Sequence, residues 1–440
     1  MACRPEISGM EKGTMMKTLR LVVMALVMVP VDFAQVTSGD ATPAQLKIAW
    51  AEAAIRTHGD HCQPYNDLAV AYVRRARETG DDSTYSQAEL ALKKSFQITP
   101  DNLEGQKARL MILLGRGEFT TALELAKALN KKTPDDVLIY GLMADSAIEL
   151  GNYSDAENAV QWMLDMRPGN VPALLRGARL RWLFGDAEGS LDFYSQAYQQ
   201  IPPTQKEDLA WTLTQMADLQ LSVGHLDDAR RLLHSALEKF PGYYLALESQ
   251  ASVQIAARHP LEAEQLLRQR NEHFPSATSR YALAKALEES GEVAESNSVY
   301  ATFEQEARRL IDAPDNANQE LVLYYLGHGK DPAEALRIAR IQIAKRHDVN
   351  TLDVYAWALS SNGQYMEAQR EIAAALGVGI REAAMLYHAG VISAKLNENA
   401  SAAQYLKESI AIDPTSETVT AAGEALDRLT PALAAARDVK

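Results

Sequence analysis

The sequence predicts an all-α solenoid of about ten helix–turn–helix units, and three observations predict it. Prolines stand at Pro100, Pro134, Pro168 and Pro202, each 34 residues after the last, then at Pro241 after 39 and at Pro275 after a further 34. Gly117, Gly151, Gly185 and Gly224 each lie 17 residues upstream of one of these prolines, and a small residue follows five after each glycine (Ala122, Ala156, Ser190, Ala229). Composition is the third observation. The 440 residues are 47% apolar and 23% charged, rich in Ala, Leu, Glu and Gln, with few β-branched residues after position 40.

Each mark has a mechanical role. Glycine ends the first helix of a unit, where the chain needs a positive φ. The small residue lets the second helix approach the first closely. Proline closes the second helix, because it cannot continue one and its fixed φ suits the turn into the next unit. Between these marks the apolar residues recur at three and four, as in Ala122, Leu125, Ala126 and Leu129, or Leu232, Leu233, Ala236 and Leu237.

The stretches GEFTTALELAKALNKKTP, GNYSDAENAVQWMLDMRP and GHLDDARRLLHSALEKFP resemble the second-helix half of the tetratricopeptide repeat, and the likeness runs over roughly residues 65–415. It implies a right-handed α-solenoid. Counted by phase, seven units occupy 65–310, the last marked by Gly291, Ser296 and Tyr300, and three more occupy 317–415. The eighth is degenerate around Ala335 and Ala339, the ninth shows Gly363, Tyr365 and Ala368, and the tenth ends at Pro414 with Ala402 in phase. Ile311 to Asn318 is the expected break between the two arrays. The excess between Pro202 and Pro241 is expected to lengthen one first helix. Residues 39–64 read as an N-terminal helix and loop, and 416–440 as a capping helix and tail that shield the end faces.

The first 38 residues read as an address. Lys17 and Arg20 precede an apolar run from Leu21 to Val31, which as a helix spans only about 16 Å and is too short to cross a bilayer. A basic region, a short apolar stretch and small residues downstream are the parts of a secretory signal peptide over about 15–38. Residues 1–14 read as an extension ahead of a start at Met15 or Met16. Cleavage after Ser38 satisfies the small-residue preference through Val36, whereas cleavage after Ala34 would put Asp32 there. No Leu-x-x-Cys lipidation pattern follows. The expected location is periplasmic or secreted, with no membrane span after signal removal.

The net charge is −14, and loss of residues 1–38 removes four basic and three acidic side chains to leave −15. Such a surface repels phosphate backbones, so nucleic acid is not an expected partner. Cys3 and Cys62 allow no internal disulfide framework once the leader is gone. There is no His-Glu-x-x-His pair, Gly-x-Ser-x-Gly elbow, Walker loop or Gly-x-Gly-x-x-Gly, so no catalytic residue and no cofactor are expected. Gly377-Val-Gly379 and Gly327-His-Gly-Lys330 read as turns between helices. His58, Asp60, His61 and Cys62 could in principle ligate zinc or copper, but all lie within five residues of one loop, which wraps a tetrahedral ion poorly. Metal handling through His58, His61 and Cys62 is the alternative function.

The resemblance implies that the first helices line a concave groove for other proteins or peptide segments. At the matching positions stand Arg179 and Trp182 in the fourth unit and Trp211 in the fifth. Tyr281 and Lys285 follow in the seventh, Asp353 and Trp357 in the ninth, and Tyr387 in the tenth. The carboxylate clamp of chaperone-binding relatives is not reproduced, because Met111 stands where an Asn would be needed beside Lys107. The expected function is that of an exported scaffold or adaptor in envelope assembly or export.

Overall fold

The computed structural model describes residues 41–272, 275–313, 319–415 and 418–437, with side chains to 429. The leader, most of the expected break and the last residues lie outside them. Contacts divide the chain at Ala41, and the helical array belongs to the unit from Thr42 onward.

The described residues form 22 α-helices. An opening helix, α1 (Pro43–His58), is followed by ten antiparallel pairs. The first three are α2 (Gln63–Thr79) with α3 (Ser83–Ile98), α4 (Leu103–Gly115) with α5 (Phe119–Lys132), and α6 (Val137–Leu150) with α7 (Tyr153–Met166). Next come α8 (Val171–Leu183) with α9 (Ala187–Gln200), α10 (Lys206–Ser222) with α11 (Leu226–Lys239), and α12 (Tyr244–Ala256) with α13 (Pro260–Asn271). Then follow α14 (Ala277–Ser290) with α15 (Val293–Arg309) and α16 (Gln319–Leu326) with α17 (Pro332–Ile343). The last pairs are α18 (Val349–Ser361) with α19 (Tyr365–Gly377) and α20 (Ala383–Lys395) with α21 (Asn399–Ile412). A final helix, α22 (Val419–Arg437), packs on α21 and α20.

Local chemistry sets these boundaries. Gly117, Gly151, Gly185 and Gly224 all take positive φ between the helices of a pair. Thr99, Thr133, Arg167, Ile201, Phe240 and Asp413 each leave the helical region immediately before a closing proline, as the proline ring demands. Asn102, Asp136, Asn170 and Asp186 accept backbone N–H bonds at the starts of α4, α6, α8 and α9. The expected lengthening falls on α10, which has 17 residues where α8 has 13. Ala122, Ala156, Ser190, Ala229, Ala335, Ala368 and Ala402 are all fully buried at the pair crossings.

The solenoid winds back on itself. The turn after α6 meets the loop before α18, where the His347 N–H donates to the Leu150 carbonyl at 3.2 Å and the Val349 N–H to the Tyr153 hydroxyl at 2.9 Å, 196 residues apart in the second case. Arg346 Nη2 reaches Glu149 Oε2 at 3.2 Å, its Nε reaches Asp348 Oδ2 at 2.9 Å, and its guanidinium lies 5.1 Å from the Phe119 ring centre. The turn after α8 presses on the loop before α20: a Cβ on Gly185 would stand 2.6 Å from the Gly379 carbonyl oxygen. Gly224 likewise abuts Asp413 and Pro414. Earlier in the chain, Arg74 and Arg77 of α2 bond Asp208 of α10 at 3.0 and 3.1 Å, and Arg77 bonds the buried Glu207 at 3.0 Å. One hydrophobic cluster accordingly draws Ala144, Ile148 and Leu180 together with Phe303, Leu321, Leu359 and Leu386.

Candidate functional site

The first helices supply a wall that protein encloses but does not cover. Arg179 on α8 shows the situation: it is surrounded by neighbouring groups, yet 40% of its side chain remains accessible to water. Its Nη2 donates to Glu149 Oε1 at 2.6 Å. Burial alone would raise the Glu149 carboxyl, but Arg179 and Arg346 outweigh it and hold that carboxyl below its usual value. Tyr194 on α9 lies within the influence of Arg179 and Asp218 and meets Trp211 edge to face, ring centres 6.5 Å apart.

Three carboxylates follow on the first helices α10, α12 and α16. Asp218 on α10, two turns beyond Trp211, is pushed up to about 6 by burial and then by Glu248, against a hydrogen bond from Ser249. Glu248 on α12 is itself raised by burial, although Arg270 Nε bonds it at 2.6 Å. Glu320 on α16 is raised by burial and, to a smaller degree, by Glu248, against its own backbone and the Thr278 hydroxyl of α14.

A second cluster joins α18 and α20. Asp353 and His388 are 9% and 8% exposed, with Asp353 Oδ1 2.8 Å from His388 Nδ1. Trp357 stacks on the His388 ring at 4.3 Å and 15°, and Tyr387 lies 5.9 Å from Trp357. Glu382, the residue before α20, is pushed up to about 7 by burial and then by the charge of Asp353. Aromatic faces beside carboxylates can hold cationic or amphipathic side chains.

The structure thus brings Asp353, Trp357 and Tyr387 together and sets Arg179 near Tyr194, itself paired with Trp211. Trp182 is half-buried against the main hydrophobic cluster. Tyr281 turns into its own pair, 5.2 Å from Phe303 and 6.0 Å from Tyr300, so much of its ring is packing. Lys285, one turn further along α14, is half-buried. Lys107 is held by Asp136 at 2.5 Å and Glu104 at 2.8 Å. Sequence reasoning passed over His388, Tyr194, Asp218, Glu320 and Glu382. The signal for His388 was weak, since one repeat length beyond Asp353 falls on its neighbour Tyr387.

The histidine loop is open. His58 and His61 have ring centres 6.1 Å apart, and His61 Nε2 lies 3.8 Å from Asp60 Oδ1 with both side chains mostly in solvent. Among the described residues no three His, Cys, Asp or Glu side chains are placed to hold a metal ion. Two open clefts of about 550 and 420 Å³ lie beside Leu92 and Phe96 and beside Tyr365, and neither is lined by Ser, Cys or His. No helix among the described residues is long and apolar enough to cross a membrane.

A tetratricopeptide-repeat family model matches residues 142–204, 214–270 and 356–417. A TPR repeat-containing protein of Methanocaldococcus jannaschii is 25% identical over 119 residues, 27% of this chain and 21% of that protein, so the match spans about a fifth of the relative. Among solved structures, a monomeric mutant of IFIT1 with m7Gppp-AAAA aligns with a TM-score of 0.47 at 13% identity, covering 75% of this chain and 76% of that one. The human IFIT1 dimer with PPP-AAAA gives 0.44 at 14% identity over 76% and 86%. The APC/C hetero-tetramer Cut9–Hcn1 gives 0.35 at 12% identity over 88% and 95%. The chain therefore carries tetratricopeptide repeats, and its fold is an all-α solenoid of such helix pairs.

Proposed function

We propose that the chain is an exported scaffold or adaptor that holds segments of other proteins against the inner wall of its first helices, without catalysis, in envelope assembly or export. One observation carries the reading. Arg179, Trp211 and Trp357 are enclosed by protein yet left half-open, and aromatic and arginine side chains dominate binding hot spots. The family-model match supports the coarser statement that the chain is an interaction module. Export rests on Lys17, Arg20 and the apolar run after them, and exclusion of nucleic acid rests on the −14 charge.

The test is capture by the immobilised full chain from native envelope extract, read by mass spectrometry. A stoichiometric partner is expected, lost when Trp182→Ala and Trp211→Ala are combined while helicity is retained. Capture that survives both changes would sink the groove assignment. Fractionation with N-terminal sequencing should show an extracytoplasmic product beginning after Ser38, and a cytoplasmic product that keeps Lys17 would sink export.

A further inference from the structure

The seam inside the molecule joins two kinds of edge. The turns after α6, α8 and α10 present Gly151, Gly185 and Gly224, and the loops before α18, α20 and α22 cover them with His347, Gly379 and Pro414. Residues just past the turn glycines take part. Phe119 and Tyr153, each two after a glycine, meet the Arg346 guanidinium and the Val349 N–H. On the covering side Ile412, two residues before Pro414, packs on the main hydrophobic cluster. Charge crosses the seam in one direction, from a loop cation, Arg346, to a turn carboxylate, Glu149.

Both kinds of edge recur without a cover. A Cβ on Gly291 or Gly363 would meet nothing within 4 Å. Val293, two after Gly291, is 56% exposed, where Tyr153 in the covered turn is half-buried. Met366, three after Gly363, and Leu261, three after the positive-φ Arg258, are 68% and 59% exposed. The covered turns have the polar Ser154, Glu188 and Asp227 at that third position. On the loop side Ile98 and Met166 stand two before Pro100 and Pro168, as Ile412 stands before Pro414, yet they are 38% and 54% exposed. Lys132 and Arg167 on those loops, and Glu262 and Glu292 past those turns, are exposed and have no ion pair among the described residues. A repeat array needs polar faces where it meets water, and scattered single apolar residues do not repeat at matched positions.

We propose that a second copy of this chain docks head to tail: the loops around Ile98 and Met166 of one copy cover the turns around Leu261, Val293 and Met366 of the other. The contact repeats between molecules what the chain already makes within itself. Its charges run in the same direction, with Lys132 and Arg167 of the loops facing Glu262 and Glu292 of the turns. The two edges are different surfaces, so each added copy leaves one of each kind open, and the assembly lengthens or closes into a ring. The inner wall of first helices takes no part, so the groove reading stands or falls separately.

The experiment follows the full chain by sedimentation velocity from micromolar to sub-millimolar concentration, the range in which small interfaces associate. The parent's average mass should rise with concentration. A turn variant, Leu261→Asp with Val293→Asp and Met366→Asp, and a loop variant, Ile98→Asp with Met166→Asp, should each associate ~10-fold more weakly or less still. All five side chains are exposed, so both variants should keep the parent's melting profile. Mixed together, the two variants should form a species that stops at two chains, because each supplies the edge that the other has lost. Lys132→Glu with Arg167→Glu, which touches no apolar contact, should weaken association by about 3-fold or more. Leu90→Asp, on an exposed apolar residue of α3 away from both edges, is the control and should change nothing. A parent that stays monomeric throughout overturns the proposal. So does association that survives in the turn, loop or charge-reversed variant, or that Leu90→Asp abolishes. A mixture that stays monomeric overturns the head-to-tail contact and with it the proposal.

Discussion

Gly185 and Gly363 hold the same place in two repeats, between the helices of a pair, with φ of +84° and +78°. Their surroundings differ. A Cβ on Gly185 would strike the Gly379 backbone of the overlying turn, whereas one on Gly363 would meet nothing within 4 Å. The earlier turn of the solenoid, around Gly151, Gly185 and Gly224, is covered by residues near 347, 379 and 413, and the repeats around Gly291 and Gly363 have no such cover. One sequence signal therefore serves two purposes. In the uncovered repeats glycine only permits a backbone conformation, and in the covered ones it also makes room for a second layer.

The comparison can be broken most directly at those glycines. Gly185→Ala should lower stability by about 3 kcal/mol or more, from a strained φ plus a backbone clash, against about 1 kcal/mol for Gly363→Ala. Denaturant midpoints with hydrogen exchange will tell, and equal losses would mean that the layers do not press together. Next in size is Arg346→Met, which strips Glu149 and Asp348 of a shared cation at the seam and should cost about 2–4 kcal/mol. Arg268→Met, on an exposed pair with Glu295, is the contrast and should change stability little. Exchange protection at the His347 and Val349 amides should fall only in the first variant, and protection lost in both would erase the distinction.

The smallest effect concerns pH. Glu382, three residues beyond Gly379, has its folded value raised from 4.5 to about 7, so between those values the folded state holds a proton that the unfolded chain has released. Its contribution to stability is therefore present at pH 4.5 and below and disappears as pH rises through 7. Glu382→Gln should remove that slope, leaving the variant more stable than the parent at pH 8 by on the order of 1–2 kcal/mol. Identical pH profiles for parent and variant would show that water reaches the carboxylate freely.

Most of the fold was legible because a repeat writes its local geometry into every unit. The glycines, small residues and prolines mark the helix pairs, and the excess before Pro241 marks the long α10. The winding was not legible, because a 34-residue period encodes how one pair meets the next and says nothing of residues 196 apart. Pitch accumulates from small rotations that no single residue declares. For the candidate site, repeat position points to Trp357 and Tyr387, whereas no motif distinguishes His388 from the other histidines. Asp218, Glu320 and Glu382 carry no motif, because a carboxylate on an amphipathic helix reads the same in sequence whichever way it faces. Tyr281 matched the groove position too, yet Phe303 and Tyr300 claim much of its ring.

The bond from His347 to the Leu150 carbonyl bears on how the chain acquires its structure. A simple repeat array folds much like a zipper, each unit needing only its neighbour, and it can come apart piecemeal from the ends. Here residues 149–153 complete their contacts only with residues 346–349, so that stretch cannot finish until a further 196 residues have followed. Pairings so distant in sequence raise contact order and slow the search. They also tie early and late repeats into one cooperative event, so local fraying in the middle of the molecule is suppressed until the seam itself opens.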